Sequence, residues 1–334
     1  VAEGVFWLRL PMPMALDHVN LWLLRDGDGW TVIDTGLDDP KCKEIWQSLL
    51  QDVIDPKKLN RIIVTHFHPD HIGLAGWLAR QCDCKVLMTA GEYYYYRTIL
   101  ERNLEDVDKD LRRYFSELNF PRKAHDRMIS FFSVDEKPPE TRVTRDIVEF
   151  IKEGDCLEIN GSNWQIICGA GHSPEHACLY NAEQQILISG DQAIPRISSN
   201  VSVYYGNRHT DPLGDWISSC EKLDRDIPAD TLILPAHQEP FKDIQARMQQ
   251  MIVDHHALLN RVRIAMQDDW LTVDKVRAVM FTRELSNLEI ALATGEAQAH
   301  LSYLLHRNEL IRKIDENGAA HYSLLAQQGL KRSA

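Results

Sequence analysis

Four of the seven residues in Thr65-His66-Phe67-His68-Pro69-Asp70-His71 carry an imidazole or a carboxylate. Those are the donors that divalent metals of the zinc type select. The run before them, Arg61 to Thr65, is apolar and strand-like, and IGLAGWLARQ after them is helix-like, so the cluster falls on a strand-to-helix turn. In extended chain His66 and His68 project to the same side, while Asp70 and His71 lie across the turn, where they can serve a second ion beside the first. Taken alone, such a cluster reads as a solvated loop. Three distant residues change that reading: His172 in GAGHSPEH, Asp191 in LISGDQ and His237 in LPAHQ each stand where a β-type run ends. Side chains drawn from one edge of several strands converge.

The elements that must position these residues follow from the pattern. VFWLRL and VNLWLLRDGDGWTVIDTG alternate as strands, and the Asp-Gly-Asp-Gly centre is a hairpin signal, so a β-meander is predicted. A helix is predicted over Lys41 to Gln51. From Gly91 to Phe150 the sequence turns charged and helix-periodic, with breaks at Pro121 and Pro138-Pro139, which predicts a helical insertion at about 91–150. The β pattern resumes in CLEINGSNWQIICGAGH, ACLYNAEQQILISGD and TLILPAH. Beyond Phe241 the chain is helical and closes on a short strand pair, IRKIDENGAAHYSLL. We therefore expect a catalytic domain at 1–243 and a C-terminal helical, winged-helix-like domain at 244–334.

Composition bounds the function classes. With 334 residues and 44% hydrophobic content, the chain can fill a substantial core. Its formal charge of -12 opposes a general grip on nucleic acid or anionic membrane. Residues 245–334 are near neutral, with eleven Lys and Arg against ten Asp and Glu. No apolar run approaches the roughly 18 residues of a membrane span, and VAEGVFWLRL has no signal-peptide layout. Seven cysteines form an odd set without disulfide-framework spacing, so a cytoplasmic protein is expected. Cys82 and Cys84 stand one residue apart and are assigned no redox chemistry.

In order along the chain, H-x-H-x-D-H, G-H-S-P, S-G-D and P-A-H, preceded by Asp34-Thr35-Gly36, resemble the metallo-β-lactamase superfamily over roughly residues 5 to 240. The resemblance implies an α+β fold, an αββα sandwich with metals at one edge. It implies that His66, His68 and His172 hold a first ion, that Asp70, His71 and His237 hold a second, and that Asp191 bridges them. Asp34 is either a partner that orients a ligand imidazole or a turn former before Gly36. Two divalent ions are expected, zinc first, with manganese or iron as alternatives. A histidine at position 68, where the oxygen-reducing di-iron relatives carry a carboxylate, favours the hydrolytic branch.

Two adjacent dications make hydroxide available near neutral pH and polarise the bond under attack. The expected reaction is attack by a metal-bridging hydroxide on a thioester or a related ester or lactone, with Asp70 and Asp191 as the catalytic carboxylates. His176 is either a general acid or a structural neighbour of the site. The resemblance extends to glyoxalase II-like and β-lactamase-like hydrolases with a C-terminal domain, which favours a small-molecule thioester. A single-strand endoribonuclease or phosphodiesterase is the alternative, weakened by the acidic charge, and a regulatory binding module is a third reading. Nucleic-acid and membrane partners are not expected, whereas a homo-oligomer is, because members of the family assemble.

Further residues take expected places. Tyr204, Tyr205, Arg208 and His209, in the loop after Asp191, are the predicted substrate contacts. At least two of the four consecutive aromatics Tyr93 to Tyr96 are predicted to pack in the core. His255, His256 and Arg261 lie on the first C-terminal helix, whose face is expected to pack on the main domain, the alternative being that they reach the pocket mouth; His300 is expected to be a packed helix residue with no ligand role.

Overall fold

The structure is a computed structural model describing residues 1–14, 16–101, 104–120, 139–203, 210–267 and 269–325. Strands β1 (Val5–Pro11), β2 (His18–Asp26) and β3 (Gly29–Ile33) run antiparallel, and the predicted hairpin turns through Gly27 and Asp28 between the paired residues Asp26 and Gly29. Gly27 has a φ of 65°, a conformation this tight turn requires and glycine supplies without strain. Strands β4 (Leu59–Ile63), β5 (Lys85–Thr89) and β6 (Val148–Ile151) continue the sheet in parallel. A second sheet holds β7 (Cys156–Ile159), β8 (Ser162–Gly169), β9 (His176–Asn181), β10 (Ile186–Gly190) and β11 (Leu232–Pro235), in the order β11-β10-β9-β8-β7.

The two sheets face each other across a shared core. Trp22 and Leu24 of β2, Ile63 of β4 and Leu87 of β5 pack in one cluster with Trp164 and Ile166 of β8, Leu179 of β9 and Ile186 and Ile188 of β10. Period-two alternation places these residues on one face of each strand. Ile188 is fully buried, so truncating it to alanine would cost about 2–5 kcal/mol.

Helices cover the outer faces. In α1 (Pro40–Asp52) the Asp39 carboxylate caps the Lys41 N–H, Pro40 supplies a preset first turn, and Cys42 and Trp46 point inward. Two helices then follow His66 and His68: α2 (Pro69–Ile72) and α3 (Ala75–Cys82), the latter stopped by Asp83 at a φ of 53°. Gly73 joins them. A Cβ there would meet the carbonyls of Pro69 and Gly36 at 2.4 and 2.5 Å, so only glycine allows this approach. The αββα sandwich implied by the resemblance is the observed architecture.

The predicted helical stretch contains α4 (Ala90–Leu100) and α5 (Leu104–Glu117). It gives way to β6 before residue 150, because Val148 to Ile151 pair with β5. Further along come α6 (Pro212–Asp226), α7 (Ile244–Ala265), α8 (Val273–Met280) and α9 (Asn287–His306). Ser286 and Glu289 form a reciprocal capping box at the start of α9.

Residue contacts divide the chain into two compact units. One comprises residues 1–98, 136–199 and 222–248 and contains both large sheets; the other comprises 99–135, 200–221 and 249–334. The second unit contains a small antiparallel sheet in which β12 (Leu271–Thr272) and β13 (Leu310–Ile314) flank β14 (Ala320–Leu324). β13 and β14 are the predicted strand pair. The two residues of β12 are too few to leave a periodic trace in the sequence.

Candidate metal centre

All seven expected ligands meet within the sandwich unit, at the ends of its strands. His66 and His68 follow β4, Asp70 and His71 occupy α2, and His172 sits between β8 and β9. Asp191 directly follows β10, and His237 comes two residues after β11. His66, His68, His172 and Asp191 form one group of potential metal donors, and Asp70, His71 and His237 form another. His66 Nε2 lies 2.9 Å from His68 Nδ1 and 3.3 Å from His172 Nε2. Asp191 faces both groups: its Oδ2 is 3.3 Å from His172 Nε2 and 3.6 Å from His71 Nε2, and its Oδ1 is 3.3 Å from His237 Nε2. Asp70 Oδ2 stands 3.5 Å from His71 Nε2 and 3.4 Å from His237 Nε2.

The donor set fits divalent ions by an independent sign. His71 Nε2 and Asp191 Oδ1 are buried and make no aligned hydrogen bond, although polar atoms crowd them. Imidazole nitrogens facing one another at such distances cannot all donate, and a shared cation would satisfy them together. The charge balance agrees. Burial, then the neighbouring imidazoles, hold His66 well below the ordinary histidine value, and burial with His172 pushes His68 down to about 3. Burial alone would also lower His71 and His237. The carboxylates of Asp70, Asp34 and Asp191 overcome it at His71, and those of Asp191 and Asp70 raise His237 to about 10. Burial opposes ionisation of Asp70 and Asp191, yet the facing imidazoles hold both carboxylates well below their ordinary range. Anionic carboxylates therefore face imidazoles whose extra protons a bound cation would displace, as ligation demands.

Supporting residues fix which nitrogen each histidine presents. Asp34 Oδ1 accepts the Thr65 N–H and its Oδ2 the Thr65 hydroxyl, both at 2.8 Å, and Oδ2 also lies 2.7 Å from His71 Nδ1. Asp34 has a φ of 62°, so it forms the turn before Gly36 and also orients His71; the two expected roles coexist. Thr65 Oγ1, its own proton given to Asp34, lies 3.0 Å from His66 Nδ1. His237 Nδ1 donates to the His18 carbonyl at 2.9 Å. In each case the far nitrogen is left for the centre. His176 takes the neighbour role. Its Nε2 accepts the Asp191 N–H at 3.1 Å, its ring stacks on His66, and burial with His172 pushes it down to about 3, so it stays neutral near pH 7 and supplies no imidazolium acid.

Asp34→Asn tests this support without disturbing the backbone, because asparagine tolerates a positive φ. The amide cannot accept from both Thr65 and His71. Zinc affinity is expected to fall about 10- to 100-fold, with little change in secondary structure, as measured by competition with a chromophoric chelator.

Sequence reasoning missed Glu92, Thr65 and His18. Glu92 is fully buried and accepts from the Phe67 N–H at 2.9 Å, the Ser173 hydroxyl at 2.7 Å and the Glu175 N–H at 2.7 Å. It thereby ties the His66–His68 segment to the His172 loop. Burial pushes its carboxyl up to about 7 against the pull of those donors. As predicted, two of the consecutive tyrosines, Tyr93 and Tyr96, are core residues, and Tyr94 is exposed. The expected substrate contacts Tyr204, Tyr205, Arg208 and His209 lie outside the described residues. The described cysteines are all free, and burial raises the Cys82 and Cys84 thiols to about 11 and 12, which makes them poor nucleophiles.

Fold and site together define a hydrolase. The chain belongs to the metallo-β-lactamase superfamily: residues 14–237 match the profile described as Metallo-beta-lactamase superfamily, and residues 259–325 match that of the Metallo-beta-lactamase-like, C-terminal domain. A solved beta-lactamase domain protein from Burkholderia ambifaria is 34% identical, with a TM-score of 0.87, over 97% of this chain and 93% of its own. A metallo-beta-lactamase family protein from Thermus thermophilus shares the fold with a TM-score of 0.80 at 24% identity, over 97% of this chain and 99% of its own. Among curated proteins, the human acyl-coenzyme A thioesterase MBLAC2 is 23% identical over 266 residues, 72% of this chain and 80% of that protein. A linear primary-alkylsulfatase from Pseudomonas is 24% identical over 242 residues, 65% of this chain but 41% of that enzyme. Among the described residues, no helix is long and apolar enough to cross a membrane.

Proposed function

We propose that the chain is a dinuclear hydrolase of acyl thioesters, with zinc as its metal, His66, His68 and His172 on one ion, Asp70, His71 and His237 on the other, and Asp191 between them. The observation that carries this reading is Asp191, whose two oxygens face the two groups of histidines. The likeness to an acyl-coenzyme A thioesterase supports the substrate class, and the formal charge of -12 weighs against RNA. The seven free cysteines suit a reducing, cytoplasmic setting. The boundary near residue 243, with a winged-helix-like domain after it, belongs to the same proposal; the helix, strand, helix, helix, hairpin order from α7 to β14 supports it.

When bound, the two ions supply a polarising charge and an activated water. The rest is done by side chains. Asp191 and His237 are nearly enclosed, whereas the Asp70 side chain keeps 17% of its surface open and is thus the carboxylate reached from solvent. Asp70 accepts the proton released as water attacks the acyl carbon. A thiolate leaves without needing a strong acid, so the leaving group requires no protonated side chain. Glu92 and Asp34 keep the ligand loops in place while charge moves.

The likeness to an alkylsulfatase favours a second reading, hydrolysis of a sulfate ester at the same centre. One panel separates the possibilities: acyl thioesters of coenzyme A and glutathione, a primary alkyl sulfate, and single-stranded RNA, each incubated with zinc-loaded protein. Thioester cleavage alone is expected. Sulfate release without thiol release would replace the substrate class, and RNA cleavage alone would move the protein to the nuclease alternative.

A further inference from the structure

We propose a third divalent-cation site in the second unit, formed by His255 of α7 with Glu296 and His300 of α9. These three side chains bring one potential donor atom each to within 4.8 Å of the others, and all three residues belong to the same compact unit. Glu296 and His300 are four residues apart on one helix and so share a face. His255 approaches that face from α7, with its Nδ1 3.3 Å from His300 Nε2.

Two features distinguish this group from a packed pair of histidines: the fixed orientation of His300 and the carboxylate of Glu296 beside it. His300 Nδ1 donates to the Glu296 backbone carbonyl at 2.9 Å, which leaves Nε2 as the lone-pair nitrogen and fixes the ring, the arrangement typical of a metal-ligating histidine. The Glu296 carboxylate accepts from the Asn200 side-chain amide at 3.4 Å. His255 is buried, and its Nδ1 is the nitrogen that faces His300 Nε2.

The spacing suits a tetrahedral ion. With bonds of 2.0–2.1 Å, two imidazole nitrogens on one zinc stand about 3.3 Å apart. That is the separation of His255 Nδ1 and His300 Nε2, and it matches His66 Nε2 and His172 Nε2 in the candidate centre. Two imidazoles and one carboxylate select zinc or a similar borderline cation over calcium or magnesium, which require more oxygens. Three protein donors leave the fourth position to water, and the site links two helices, so its role is to pin α7 to α9, independently of catalysis.

The test compares zinc content by elemental mass spectrometry in the full-length protein and in Glu296→Gln and His300→Gln, after saturation with zinc and removal of the excess. Each variant is expected to hold one equivalent less than the parent while thioester hydrolysis stays within twofold. Equal zinc content in parent and variants would overturn the proposal, whatever the activity. Should the variants fail to fold, anomalous diffraction at the zinc edge from crystals of the parent decides: a peak beside His300 Nε2 supports the site, and peaks confined to the candidate catalytic centre refute it. Because the readout is a difference in zinc, it does not depend on which substrate the catalytic centre hydrolyses.

Discussion

Asp191→Ala is expected to lower metal-dependent hydrolysis by a factor of about a thousand or more while leaving the fold assembled. The carboxylate faces His172, His71 and His237 at 3.3–3.6 Å, so in the proposed dinuclear centre it is the group that holds both ions. Losing it forfeits one ion and several kcal/mol of transition-state charge stabilisation, and each 1.4 kcal/mol is about tenfold in rate. Zinc content should fall by one equivalent in the same protein, and circular dichroism should be unchanged. Activity within tenfold of the parent, at full zinc occupancy, would show that Asp191 does not bridge.

Glu92→Ala should have the largest effect on stability of any change outside the ligands themselves. Three donors, the buried Phe67 N–H and Ser173 hydroxyl and the part-buried Glu175 N–H, lose their acceptor, and each unsatisfied buried group costs about 1–3 kcal/mol. Partial entry of water softens this, so a total loss of about 3–5 kcal/mol is expected. The urea midpoint should fall and zinc affinity should weaken, because the His66–His68 segment and the His172 loop lose their common tie. Glu92→Gln should lie between, since its amide oxygen can serve Ser173 and Glu175 while its NH2 meets the Phe67 N–H. A Glu92→Ala protein with unchanged midpoint and zinc affinity would remove Glu92 from the support of the centre.

The candidate ligands were legible because His66, His68, His172, Asp191 and His237 stand where β-type runs end and Asp70 and His71 open the helix that follows the first of them. The β2–β3 hairpin was legible from local turn chemistry. The supporting groups were not. Glu92, in AGEYYYY, reads as an ordinary acidic residue in a first helical turn, and only tertiary folding sets it between Phe67 and Ser173. His18 acts through its backbone carbonyl, which no side-chain identity encodes. The pairing of His255 with His300 was equally hidden, since 45 residues separate them and each alone fits a packed helix. β6 was absorbed into the helical stretch because four residues are too few to set a period against the charged sequence before them.

The most direct measurement is the rate of acyl-thioester hydrolysis as zinc is returned to fully chelated protein. No turnover without metal, rising with zinc and abolished again by chelator, is the expected result. Undiminished hydrolysis by the metal-free chain would contradict the account at its centre.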